Sequence, residues 1–263
     1  MKLILLITLL SCFSAWGETS TSKHTRQDIS LYTYHYMPPY VIDSKNEIGL
    51  LYDVAHFFNQ QQQDYHFSVS YIPRKRLNHL LETQKFDGMV IGVNPFWFKD
   101  KDKTTYLWSE PLMRDQDDII SHLINPVEFV NKQALYGKVV GGILGFRYHT
   151  IDKLVADGLM TRIDTSNESQ LINMLIKKRF DFAIVSRATS IYYQGLLEQN
   201  QQLYLSSKPH DKYTRHILAP KAFSTQFKAI NPLIVLLNNN PDWQDSMQKY
   251  KTFLLPVDLT KVD

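Results

Sequence analysis

The chain has 263 residues, of which 44% are hydrophobic, 13% aromatic and 21% charged, with ten glycines and eleven prolines; this excludes fibrous, low-complexity and disordered chains, which lack the apolar surface needed to offset chain entropy. The 29 Lys and Arg against 26 Asp and Glu leave a formal charge of +3 that is spread along the chain, with no basic stripe to mark nucleic acid as a partner. Cys12 is the single cysteine, so neither an internal disulfide nor a cysteine-based zinc site can form.

Residues 1–17 read as a cleavable secretory signal, placing the protein in the periplasm. Met1 and Lys2 give a short positive start, residues 3–10 are apolar apart from Thr8, and Ala15-Trp16-Gly17 sets small residues at −3 and −1 before Glu18. The apolar stretch is too short to span a bilayer, which takes about 20 residues. Leu9-Leu10-Ser11-Cys12 also resembles a lipobox, so lipidation of Cys12 is the second reading of this segment.

Residues 29–36 alternate as a strand does, and Pro38-Pro39 ends the pattern. Leu50, Leu51, Val54, Phe57 and Phe58 then fall at helical spacing after Gly49, and 67–72 alternate again up to Pro73. Strand, helix, strand predicts a βαβ unit with a parallel sheet. Residues 76–87 form a helix pattern leading to Phe86-Asp87 and the apolar run Met89-Val90-Ile91; the pattern recurs 94 positions later as 170–181, with Phe180-Asp181 and Ala183-Ile184-Val185. Continuous apolar runs suit strands covered on both faces. The repeat therefore predicts two α/β lobes, each a mainly parallel sheet flanked by helices.

Residues 112–125 read as a strand crossing between the lobes. The second lobe opens at 137–143, followed by the loop Leu144-Gly145-Phe146-Arg147-Tyr148 and a helix carrying Ile151, Leu154 and Val155. Residues 204–206 and 215–219 read as the path back, and helices within 225–253 complete the first lobe. The expected division is 1–17 signal, 18–115 first part of lobe 1, 116–212 lobe 2, and 213–263 completion of lobe 1.

Ligands of open α/β sheets sit beyond the carboxyl ends of the strands, so the repeat points at two facing rims. The first offers Tyr34, Tyr36 and Tyr40, with Asn94, Phe96 and Trp97; the second offers Arg147, Ser186 and Arg187. Tyr and Trp rings bring large contact area with few rotatable bonds. Arg147, just before a helix start, suits a carboxylate or phosphate. Core packing is the alternative role for the tyrosines, and a solvated surface for the arginines. HExxH, GxSxG, P-loop and GxGxxG motifs are absent and no two histidines lie three or four apart, so no catalytic residue, metal ligand or cofactor is assigned. Asp87 and Asp181 suit turns better than acid/base work.

Met37-Pro38-Pro39-Tyr40, Gly49-Leu50-Leu51-Tyr52-Asp53-Val54-Ala55, Phe86-Asp87-Gly88-Met89-Val90-Ile91-Gly92, Trp108-Ser109-Glu110-Pro111 and Arg179-Phe180-Asp181-Phe182-Ala183-Ile184-Val185, in this order over about residues 29–256, resemble bacterial solute-binding protein family 3, which includes polar amino-acid receptors of ABC importers. The resemblance implies a two-lobed periplasmic-binding-protein-like α/β fold that closes on a small ligand, with two crossover strands as the hinge. It implies a monomer whose partner is an ABC transporter permease or a membrane sensor. In members that bind amino acids, an Arg twelve residues after the first Phe-Asp aspartate clamps the α-carboxylate. Counting from Asp87 puts Lys99 there; counting back from Trp108-Ser109-Glu110 gives Asp102, because about three extra residues intervene. A lysine cannot make arginine's bidentate fork. The acid that holds the α-ammonium, five residues after the second Asp, is Ser186, and Tyr34 stands where some members carry an acid. The expectation is an uncharged pocket floor with aromatic walls that binds ordinary L-amino acids poorly, since a buried ammonium without a carboxylate is costly. The expected function is periplasmic capture of a small polar, anionic or amino-acid-like solute for an ABC importer. A sensory or accessory protein signalling to a membrane partner and, last, a hydrolytic enzyme are the alternatives.

Overall fold

The computed structural model describes residues 25–196, 202–241 and 243; the signal segment, Cys12 and residues 244–263 lie outside them. The chain opens on strand β1 (Gln27–Thr33), which buries Ile29, Leu31 and Thr33 at the period of two that a pleated strand imposes. Helix α1 (Leu50–Gln61) follows Gly49, whose φ of +138° and close approach to the Tyr40 carbonyl, 2.7 Å from an added Cβ, admit only glycine. Then come β2 (Tyr65–Tyr71), α2 (Arg74–Glu82) and β3 (Met89–Val93). β1 pairs in parallel with both β2 and β3, so the order is β2-β1-β3.

A short β4 (Leu107–Trp108) and the long β5 (Met113–His122) lead into a second unit: β6 (Val139–Ile143), α3 (His149–Ala156), β7 (Thr161–Thr165), α4 (Glu168–Ile176) and β8 (Phe182–Ser186). β6 pairs in parallel with β7 and β8, giving β7-β6-β8, the winding of the first unit repeated. Helices α2 and α4 begin and end 94 residues apart, at Arg74 and Glu168 and at Glu82 and Ile176. Every residue of β3 and of β8 is buried, as a strand covered on both faces requires. At Gly141 on β6 an added Cβ would lie 2.4 Å from the Phe180 ring and 2.7 Å from Leu171, so absence of a side chain is what lets this layer pack so closely.

After α5 (Arg187–Leu196) and β9 (Leu203–Leu205) comes β10 (Asp211–Ala219), antiparallel to β3 at one end and to β5 at the other, while β5 runs antiparallel to β8. The sheets of the two lobes therefore join into one path, β2-β1-β3-β10-β5-β8-β6-β7. Each parallel sheet thus gains one antiparallel strand, because a chain that leaves a lobe must run back across it. Residues 204–206 were expected on the way back to the first lobe. Instead β9 pairs with Ile120–His122 of β5, and Leu203 and Leu205 pack into the core of the second unit; β10 makes the return. Helices α6 (Ser224–Phe227) and α7 (Ile230–Asn238) follow, and α7 buries Ile230, Leu233, Ile234 and Leu237 against the α1 side of the first core.

Candidate functional site

Between the lobes lies a cavity of about 50 Å³, room for on the order of three or four small groups at about one water per 10–15 Å³. Its lining comes from the carboxyl ends of β1, β3, β6 and β8, from the first residues of α2 and α4, and from the crossing strands. These are the positions at which open α/β sheets expose loops and backbone donors.

The crossing strands supply the charged floor. Arg215 on β10 is 1% exposed. Its Nη2 and Nε donate to Oδ2 of Asp115 on β5 at 3.0 and 3.3 Å, its Nη1 to the Gly92 carbonyl at 2.9 Å and to His35 Nε2 at 3.3 Å, and its Nη2 to the Tyr213 hydroxyl at 3.1 Å. The guanidinium carbon also lies 4.4, 5.2 and 5.1 Å from the ring centres of Tyr40, Trp97 and Tyr213. This buried pair is closed on all sides, which is what compensates two charges for leaving water. Asp117, two residues along β5, accepts from the Tyr213 hydroxyl at 2.7 Å. Burial, reinforced by Asp115, outweighs that hydrogen bond and pushes its carboxyl up to about 7.

Glu168 opens α4 and is 6% exposed; burial pushes it up to about 7 as well. Its equivalent in the first lobe, Arg74, donates to Asn78 Oδ1 at 2.9 Å, the Tyr34 hydroxyl at 2.6 Å and the Trp97 carbonyl at 2.6 Å, and its guanidinium packs on the rings of Tyr34 and Phe98. His35 completes the wall. Burial, then Arg215 and Arg74, hold it well below the usual histidine range, so the ring is neutral. Phe146 of the second lobe meets Tyr34 and His35 of the first with ring centres 5.8 and 5.7 Å apart, closing the cavity from above.

Of the residues singled out in the sequence, Tyr34, Trp97, Arg147 and Ser186 line this cavity. Arg147 is exposed at its rim, and the Ser186 hydroxyl donates to Thr189 Oγ1 at 2.9 Å. The others lie elsewhere. Tyr36 is exposed, bonded to Ser44 and set against Tyr71 beside an outer groove. Tyr40 is buried beneath Arg215 and donates to Asp115. Asn94 caps the turn at 95–98 by accepting from Phe96 N at 2.9 Å, and donates to the Thr214 carbonyl at 2.8 Å. Phe96 stacks on His149 across the lobes at 4.2 Å. Arg187 grips the buried Asp118 at 2.7 and 2.9 Å, a bidentate pair that removes it from the cavity wall.

Lys99 ends the turn in the left-handed region at φ 55° and borders an outer groove. The extra residues beyond it fold around Asp100, whose carboxylate accepts from the backbone N–H of Thr104, Thr105 and Tyr106 and from Trp108 Nε1 at 2.7 Å. Burial opposes ionisation of Asp100, but these donors prevail and hold it at about 2.

The floor expected from Ser186 and Tyr34 alone is incomplete: Asp117 and Glu168 also bring two carboxyl groups to the cavity lining. Sequence reading also passed over His35, Arg74, Tyr213 and Arg215. Two signals for this set were present. Arg74 and Glu168 stand 94 apart, at the repeat's own offset, and Asp115-Gln116-Asp117-Asp118 is an acidic run inside a strand that must be buried. Among the described residues no group of three or more His, Cys, Asp or Glu is placed to hold a metal, and no helix is long and apolar enough to cross a membrane.

No family model and no curated protein matches this sequence. Solved structures do. An ancestral arginine-binding protein bound to arginine aligns over 86% of this chain and 99% of its own, at 18% identity and a TM-score of 0.70. The GluR0 ligand-binding core from Nostoc punctiforme, in complex with L-glutamate, covers 84% and 98% at 16% identity and a TM-score of 0.68. An arginine-specific periplasmic binding protein from Salmonella typhimurium covers 85% and 98% at 17% identity and a TM-score of 0.64. At such identities the likeness is one of architecture, and the chain has the two-lobed α/β fold of the type II periplasmic binding proteins.

Proposed function

We propose that this protein captures a small amino-acid-like solute between its lobes by closing about β5 and β10, in the periplasm after removal of residues 1–17, as a monomer that delivers the solute to an ABC importer. The observation that carries the reading is the pair Asp117 and Glu168: two carboxylates facing one cavity, neither bonded to a cation among the described residues. A carboxylate buried without a cation is held protonated; a solute ammonium supplies the missing charge and lets both ionise. Arg74 uses three of its five N–H groups on protein partners, and with Arg147 at the rim it offers the remainder to the solute's carboxylate. The acids remove the objection to L-amino acids that rested on an uncharged floor. Aromatic rings on both sides give contact area.

Thermal unfolding and calorimetry of the purified protein against the twenty L-amino acids and their decarboxylated amines test this. At least one amino acid is expected to raise Tm with concentration, as any ligand of the native state must, and to be recovered intact. Absence of any such shift overturns the reading.

A further inference from the structure

His35 is 4% exposed, lines the cavity, and has one ring nitrogen, Nδ1, with no hydrogen-bond partner. The other nitrogen settles which tautomer is present. Nε2 faces Arg215 Nη1 at 3.3 Å; a guanidinium only donates, so Nε2 accepts and the single proton of the neutral ring sits on Nδ1. Arg215 is itself fixed by Asp115 and the Gly92 carbonyl, so the ring cannot turn over without leaving that donor unmet. The result is a buried N–H donor with its orientation locked and, among the described residues, no acceptor to receive it. A donor in that state costs folding, and here the cost sits on the wall of a cavity lined by both lobes. Its neighbourhood is also signed: Arg215 and Arg74 both act on the ring, so the acceptor that suits the place is anionic.

We infer that His35 is a specificity-determining residue whose Nδ1–H donates to the carboxylate of the captured solute, with Arg215 as the positioning residue that fixes the tautomer. The inference rests on the proposed capture of an amino-acid-like solute and adds an oriented, uncharged donor to the two arginines that meet its anionic end. It predicts discrimination between an amino acid and its decarboxylated amine that Asp117 and Glu168 alone would not give.

The full chain, labelled with ¹⁵N, is expected to show the Nδ1–H tautomer of His35 from pH 5.5 to 8, and a shift of that signal when the tightest-binding L-amino acid of the panel is added. H35F is expected to weaken that amino acid at least about tenfold and to leave its decarboxylated amine unchanged. H35N, which keeps an N–H donor near the Nδ1 position, is expected to bind within about threefold of the parent and serves if H35F fails to fold. An Nε2–H tautomer, an H35F variant that binds the amino acid as tightly as the parent, or an H35N variant that loses about tenfold or more despite keeping the donor, overturns the role of His35 while leaving solute capture intact. Failure of every panel member to bind the unmodified protein overturns both.

Discussion

Arg74 and Glu168 occupy the same place in the two halves of a repeat, each the first residue of the helix that leads into a fully buried strand, and each lines the same cavity. Their circumstances differ. Arg74 stands where a helix dipole disfavours a cation, yet three oxygens and two aromatic rings hold it. Glu168 stands where the dipole favours an anion, yet it is buried and forms no salt bridge among the described residues, and the pull of Arg215 is outweighed by burial. One half of the fold holds its charge with partners from within, and the other answers burial by a raised carboxyl pKa. The crossing strands repeat the contrast over two residues of β5: Asp115 is paired with Arg215, and Asp117 forms no salt bridge among the described residues, feeling Arg215 only at a distance.

The contrast is broken most severely at its satisfied end. R215M leaves Asp115 buried without its partner and is expected to cost about 3–5 kcal/mol, read as a fall in Tm or in the denaturant midpoint; replacing Asp115 as well, in R215M/D115L, should recover a large part of that. At the open end the sign reverses. E168Q and D117N should each weaken a cationic solute about tenfold or more in calorimetry while raising the stability of the unliganded protein at pH 8.

The pH dependence sharpens the same point. Carboxyls at about 7 in the folded chain, against about 4 when unfolded, bind more protons folded than unfolded, so their contribution is greatest below pH 4 and is lost as pH rises through 7. Tm of the unliganded protein should therefore fall between pH 5 and 8, and D117N/E168Q should flatten the slope. Asp100 behaves oppositely: held at about 2, its contribution is present above pH 4 and disappears as pH falls through 2. The smallest effect belongs to the rim. R147A should leave Tm within about 0.5 kcal/mol of stability and weaken solute binding only a few-fold, more at low salt than at high.

Apolar periodicity alone made the two windings legible, because a strand covered on both faces has no other way to be written, and the offset of 94 carried through to the helix ends. Tyr34, Trp97, Arg147 and Ser186 were legible as cavity residues because they follow the carboxyl ends of those strands. Tyr40, Asn94, Phe96 and Arg187 were not, since each is taken by a partner distant in sequence: Asp115, Thr214, His149 and Asp118.

By itself the sequence determined the repeat, its parallel βαβ windings and some of the strand-end residues that line the cavity, since these follow from short-range pattern and burial. Only the tertiary structure decided which charges are closed and which are open. Arg215 meets Asp115 across 100 residues and His35 across 180, and it is that meeting which pairs one acid of β5 and gives His35 Nε2 its donor, while Asp117 and Glu168 form no salt bridge among the described residues.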